Sequence, residues 1–210
     1  MAHLDDISGR QCGVVSREQA LQAGIGAETV RRHLRSGRWQ RMIPGIYATF
    51  ADRPPPGARR WAAVLHAGSG AMLCCRSAAE EAGLAAPGRE AIHVLIPDTR
   101  RISPVRGLVA HRSRHAADRR DPLRLPPQTR VEETVLDLAS TAGDPAEALH
   151  WISTACTRRL TTPSRLTTAL SARPRLHRRG AMHTLLGAVA RGYPAPLPDW
   201  PPLPHRWALR

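Results

Sequence analysis

Between residues 28 and 50 the chain reads ETVRRHLRSGRWQRMIPGIYATF, which places Arg31, Arg32, Arg35, Arg38 and Arg41 close together. A guanidinium is a permanently charged fork of N–H donors that fits a phosphate, or the O6 and N7 edge of guanine. Five of them in one short stretch suit a polyanion. A run of charge is also the ordinary dress of a solvated helix, so the elements that carry these residues have to decide between the two.

Other residues invite chemistry and support it poorly. His111 and His115 in HRSRH stand four apart, a spacing that on a helix would aim both rings at one metal. The segment reads as a strand running into a loop, so two solvated basic residues are expected. Ser77 follows Arg76 without the G-x-S-x-G elbow of a hydrolase nucleophile. Glu133 and Asp137, with Glu132 beside them, share a helix face at i, i+4 and are expected in solvent or paired with Arg130. The GSG at 68–70 is too short to cradle a phosphate. Cys12, Cys74, Cys75 and Cys156 form no C-x-x-C pair and have no histidine at zinc spacing, so they are expected as buried thiols. No catalytic site, metal or cofactor is expected, and the chain is not expected to be an enzyme.

The composition agrees with a polyanionic partner. There are 31 basic residues, all arginine, against 17 acids, for a net charge of +14. The sign favours nucleic acid before membrane, while the exclusive use of arginine could reflect GC-rich coding and is discounted. With one Phe and two Tyr, stacking platforms for single strands are sparse, which points to duplex. The start, MAHLDDISGRQCG, has acids where a signal peptide needs cations, and no run approaches the ~18 apolar residues of a membrane span. A soluble cytoplasmic protein without membrane contact is expected.

The elements around the arginines have a recognisable order. Residues 4–12 suit a short helix ended by Gly13; Ser16 with Gln19 three residues on is a capping box that starts a second helix, REQALQA. Gly24 closes it, and a third helix is expected from about Ala27 to Ser36, stopped by Gly37. At 100° per residue its Ala27, Val30 and Leu34 share one buried stripe. Thr29 and Arg32 then point away, with Arg31, His33 and Arg35 on the flanks. Two short strands, RWQRMI and IYAT, surround the turn at Pro44-Gly45. Three helices and a hairpin in this order make a winged helix-turn-helix. Its third helix would enter the major groove, and Arg38 and Arg41 on the wing would meet phosphate.

These residues, with the following RRWAAVLHAGSGAMLCCRSAAEEAGL and TVLDLAS, resemble the AbiEi-type antitoxins of type IV toxin-antitoxin systems over roughly residues 10–140. The resemblance implies an N-terminal winged helix that binds operator DNA and represses its own operon. It also implies a nucleotidyltransferase-like toxin opposed without a tight complex. DNA-binding roles fall by this resemblance on Arg31, Arg32, Arg35, Arg38 and Arg41. Longer relatives continue into an endonuclease-like domain with acidic metal ligands. Here residues 151–210 hold ten arginines and the single acid Asp199, so a truncated, inactive relative of such a nuclease is the alternative reading.

The fold expected is α+β and mostly helical: a winged helix-turn-helix over 1–51, an α+β domain over 57–190, and a weakly ordered Pro-rich tail over 191–210. In the second domain ARRWAAVLHAG and CRSAAEEAG are expected as helices packed through Trp61, Val64, Leu65 and Leu73. AIHVLIP and GLVAHRS are expected as strands, and helices follow over VEETVLDLAS, PAEALHWISTACTRRL and TPSRLTTALSA. The segment 99–124 carries eight arginines and could add a second phosphate-tracking surface or form a solubilising loop.

Overall fold

The computed structural model describes residues 2–88, 91–192 and Asp199. Nearly all of the Pro-rich tail expected over 191–210 lies outside the described residues. The protein is α+β and divides into two compact units, Met1–Leu73 with Glu90–Gln128, and Cys74–Arg89 with Thr129–Arg210.

The first unit begins with α1 (Ala2–Arg10), β1 (Val14–Ser16), α2 (Arg17–Gln22) and α3 (Ala27–Arg35), followed by β2 (Gln40–Ile43) and β3 (Ile46–Ala48). The capping box forms as its residue types require. Ser16 Oγ accepts from the Gln19 backbone N–H at 3.1 Å, and Gln19 Oε1 accepts from the Ser16 N–H at 2.9 Å. Gln19 also exchanges hydrogen bonds with buried Gln11, which fastens α2 to the end of α1. The turn between α2 and α3 uses Gly24 at φ 80°, a backbone that side chains with a Cβ adopt at a cost.

The hairpin is broader than a two-stranded wing. β1 pairs antiparallel with β3, giving the order β1-β3-β2, with Val15 opposite Tyr47 and Arg41 opposite Tyr47 on the other side. The run Val14–Ser16 is too short to announce itself as a strand from periodicity, and its partner lies some thirty residues on. Leu4, Val15, Ala20, Val30, Trp39 and Tyr47 are buried together, joined by Leu34 and Ile25. The motif needs a small residue at the helix contact, a turn glycine and a core aliphatic, and buried Ala20, Gly24 at positive φ and buried Val30 supply them.

Helix α4 (Pro56–Ala67) starts on two prolines, which supply the helical φ and need no amide partner in the first turn. Its Ala58, Trp61 and Ala62 pack with Val14 and Ile46, and with Met42, Ile43 and Phe50 around them. This corrects the packing expected from sequence, in which Trp61 joined the helix CRSAAEEAG. The winged-helix sheet has a second apolar face to cover, and Trp61 covers it. Leu73 lies in a sheet, on β4 (Met72–Leu73), opposite Val94 of β5 (Ile92–Pro97). The parallel strand β6 (Leu108–Ser113) completes the order β4-β5-β6.

The second unit is helical: α5 (Cys75–Glu81), α6 (Val131–Thr141), α7 (Pro145–Thr157), α8 (Pro163–Ser171) and α9 (Arg179–Arg191). Asp144 and Thr162 cap α7 and α8 through their side chains, each with proline next in line. Val135, Leu136, Trp151, Ile152, Leu166, Leu170, Met182 and Leu185 lie in one core. Helix α9, which escaped the sequence reading, supplies Met182, Leu185 and Leu186 to it.

The acids of α6 also depart from expectation. Glu132 and Glu133 are 6% and 4% exposed, not solvated. Glu132 accepts from Thr161 Oγ1 at 2.7 Å and pairs with Arg165 at 2.8 Å, while Arg173 lies 3.5 Å from Glu133 and 2.7 Å from Asp137. These partners come from residues far along the chain, which spacing within a single helix could not reveal. The inward guanidiniums make burial of the carboxylates tolerable.

Candidate nucleic-acid interface

The third helix positions its arginines by burying the opposite stripe. Val30 is 5% exposed and Leu34 packs beside it, so Arg31, Arg32 and Arg35 are left outside. Thr29 is half-buried, and so contributes less open surface than its helical position promised. Arg38 lies in the turn after α3, where Gly37 takes φ 72°, and Arg41 lies on the edge strand β2; both are exposed.

The arginines are not equivalent. Arg31 Nη1 and Arg35 Nη2 both donate to Glu28, at 2.8 and 2.7 Å. All three side chains are about two-thirds exposed or more. Such solvent-exposed pairs are worth roughly 0–1 kcal/mol, so a phosphate can displace the Glu28 carboxylate at little cost. The pairing also holds the two guanidiniums on one line of the helix before any ligand arrives. The side chains of Arg32, Arg38 and Arg41 have no hydrogen-bonding or ionic partner among the described residues.

What fixes the wing relative to the third helix is a stack of rings that the sequence reading missed. The Trp39 ring lies 5.1 Å from that of His33 on α3 at an interplanar angle of 23°, and 6.1 Å from that of Tyr47 on β3. The Trp39 backbone N–H donates to the His33 carbonyl at 3.1 Å. The signal was available: an aromatic two residues after a helix-stopping glycine, beside a histidine on the helix flank. At the far end Gln40 Nε2 donates to the Phe50 and Asp52 carbonyls at 3.0 and 2.6 Å, which ties β2 to the chain leaving the wing.

The basic segment 99–124 belongs to the same unit, and its arginines divide in the same way. Arg100 is half-buried: its Nε donates to the Ala67 carbonyl at 2.5 Å, and its guanidinium lies directly over Gly68. Gly68 is at φ 83°, a backbone that favours glycine, and a Cβ there would have to displace the end of the Arg100 side chain. Arg101 donates to backbone carbonyls and Arg114 to His115 Nε2. Arg106, Arg112, Arg120 and Arg124 are exposed. His111 is not the solvated residue expected: it is half-buried and stacked on His93, with ring centroids 5.2 Å apart and Nε2 3.0 Å from His93 Nδ1. His115 is exposed, 3.4 Å from Asp118.

Residues 4–49 match the family described as "Transcriptional regulator, AbiEi antitoxin". The match covers the three helices and the wing. Among solved structures, the chain is similar to the RV2827C protein from Mycobacterium tuberculosis, with 18% identity and a TM-score of 0.53 over 93% of this chain and 82% of that one. At that identity the likeness bears on the fold alone, and the fold is shared across both units. No curated protein matches the chain. Among the described residues no helix is long and apolar enough to cross a membrane.

Proposed function

We propose, taking residues 4–49 as the regulator domain of the AbiEi antitoxin family, that the protein binds duplex DNA at its own promoter, represses its own operon and has no catalytic role. The observation that carries this reading is the outward face of α3: among the described residues the Arg32 side chain has no partner, and Arg31 and Arg35 on either side pair with the exposed and displaceable Glu28. Arg32 reads a guanine edge in the major groove, Arg31 and Arg35 flank it, and half-buried Thr29 lies nearer the helix start. Arg38 and Arg41 contact phosphate from the wing side. Residues 1–51 act as the DNA-binding domain, the residues from 57 to 190 as an antitoxin-like α+β domain, and the setting is the cytoplasm.

The net charge of +14 supports a polyanionic partner, and each phosphate neutralised by arginine releases condensed counterions and steepens the salt dependence. The exposed arginines of the 99–124 segment lengthen the phosphate-tracking surface. As an antitoxin, the protein opposes a nucleotidyltransferase-like toxin without a stable complex between them.

The test is twofold. DNA from upstream of the protein's own reading frame, titrated against a scrambled duplex of equal length, should bind at least tenfold more tightly, and the protein should lower expression of a reporter driven by that DNA. Equal binding to both duplexes with an unchanged reporter would refute the regulator reading. Co-expression with a nucleotidyltransferase-like neighbour should restore growth without co-purification; failure to restore it would remove the antitoxin part alone.

A further inference from the structure

Two of the four cysteines stand side by side at the start of α5, within the second unit. Cys74 is extended, at φ −144° and ψ 179°, and 1% exposed; Cys75 is half-buried and at φ 48°. In continuing extended chain, neighbouring side chains would point to opposite faces. The left-handed step at Cys75 breaks that alternation, and the two Sγ atoms lie within 4.8 Å of each other. A residue with a Cβ is uncommon in this region of backbone, and its surroundings must hold it there. Neither thiol contributes to the DNA-facing surface described above.

We propose that Cys74 and Cys75 form a dithiol site for a soft, thiophilic species with two open positions, namely a monosubstituted trivalent arsenical. The chemistry matches the donor count. Thiolates are the soft ligands of the protein repertoire, and trivalent arsenic already carrying one carbon needs two more bonds. With phenylarsine oxide, two As–S bonds form and the arsenic–oxygen bonds break. The two thiol protons leave with the oxide oxygen as one water, and no atom changes oxidation state. A chelate from adjacent residues resists single thiols, because releasing one sulfur leaves the other attached.

The experiment is intact-mass measurement of the folded full chain with phenylarsine oxide. One adduct is expected, heavier by C6H5As less two protons, stable to excess monothiol and reversed by a small dithiol. Cys75→Gly should abolish it. Glycine tolerates the left-handed backbone, so the variant should melt no lower than the parent, which separates loss of the site from loss of the fold. Cys12→Ser and Cys156→Ser should each keep the adduct. Retention of a monothiol-resistant adduct by Cys75→Gly, or its absence from the folded parent, would overturn the proposal.

Discussion

The arginines of the third helix and wing and two in the second unit, Arg173 and Arg178, are the same residue used in opposite ways. On α3 and the wing they stand in solvent, and among the described residues Glu28 is the one acid that Arg31 and Arg35 touch. In the second unit Arg173 reaches inward to Glu133 and Asp137. Arg178, 8% exposed, donates to the Ser140 and Ala142 carbonyls at the end of α6, and its pKa is lowered by burial. A cation against the last carbonyls of a helix completes groups that the helix leaves unpaired. The contrast teaches that charge count alone is mute: what an arginine does is set by whether its own chain already holds an acceptor for it.

The largest effect that would sharpen this contrast is on stability. Arg173→Ala leaves Glu133 and Asp137 without their shared cation in a mostly buried setting, and should lower unfolding stability by about 3 kcal/mol. Chemical denaturation would measure it, and a loss below about 1 kcal/mol would mean that the pair is solvated in practice. The operator affinity of the folded fraction should not change.

Next in size is Arg32→Ala. It should weaken operator binding by about 1–3 kcal/mol and relax preference at one base pair, with no change in melting temperature. A variant that binds operator like the parent would break the assignment of this side chain to a base edge. Smaller still is Glu28→Ala, which frees Arg31 and Arg35 and removes a negative charge that faces the phosphates. Binding to scrambled duplex should tighten by no more than about 1 kcal/mol. Weaker binding to the promoter duplex alone would assign Glu28 to a direct base contact, such as accepting from cytosine.

The recognition elements were legible in the sequence because they are local. The capping box at Ser16 and Gln19, the glycine stops at Gly24 and Gly37, and the core place of Val30 are each set within a few residues, and each stands as read, whereas Ala27, read into the same stripe, is half-buried. What escaped was long-range. β1 is a strand only because β3 lies beside it, and Trp61 covers a sheet built from residues some fifteen or more positions earlier. The acids of α6 looked like a solvated face because Arg165 and Arg173 come from around and beyond the next helix but one. Of the site itself, the arginine positions were readable, whereas the Glu28 pairing and the His33–Trp39–Tyr47 stack depend on rotamers and on a turn bringing three elements together.

The measurement that bears most directly on the account is the salt dependence of binding for the parent, Arg32→Ala and Arg41→Ala, each titrated with promoter and scrambled duplex at several salt concentrations. Loss of a single phosphate contact in Arg41→Ala should make the log–log slope shallower by about 0.9 on both duplexes. Arg32→Ala should lose affinity for the promoter duplex alone. If both variants match the parent on both duplexes at every salt concentration, the outward face of α3 and the wing are not the DNA-reading surface.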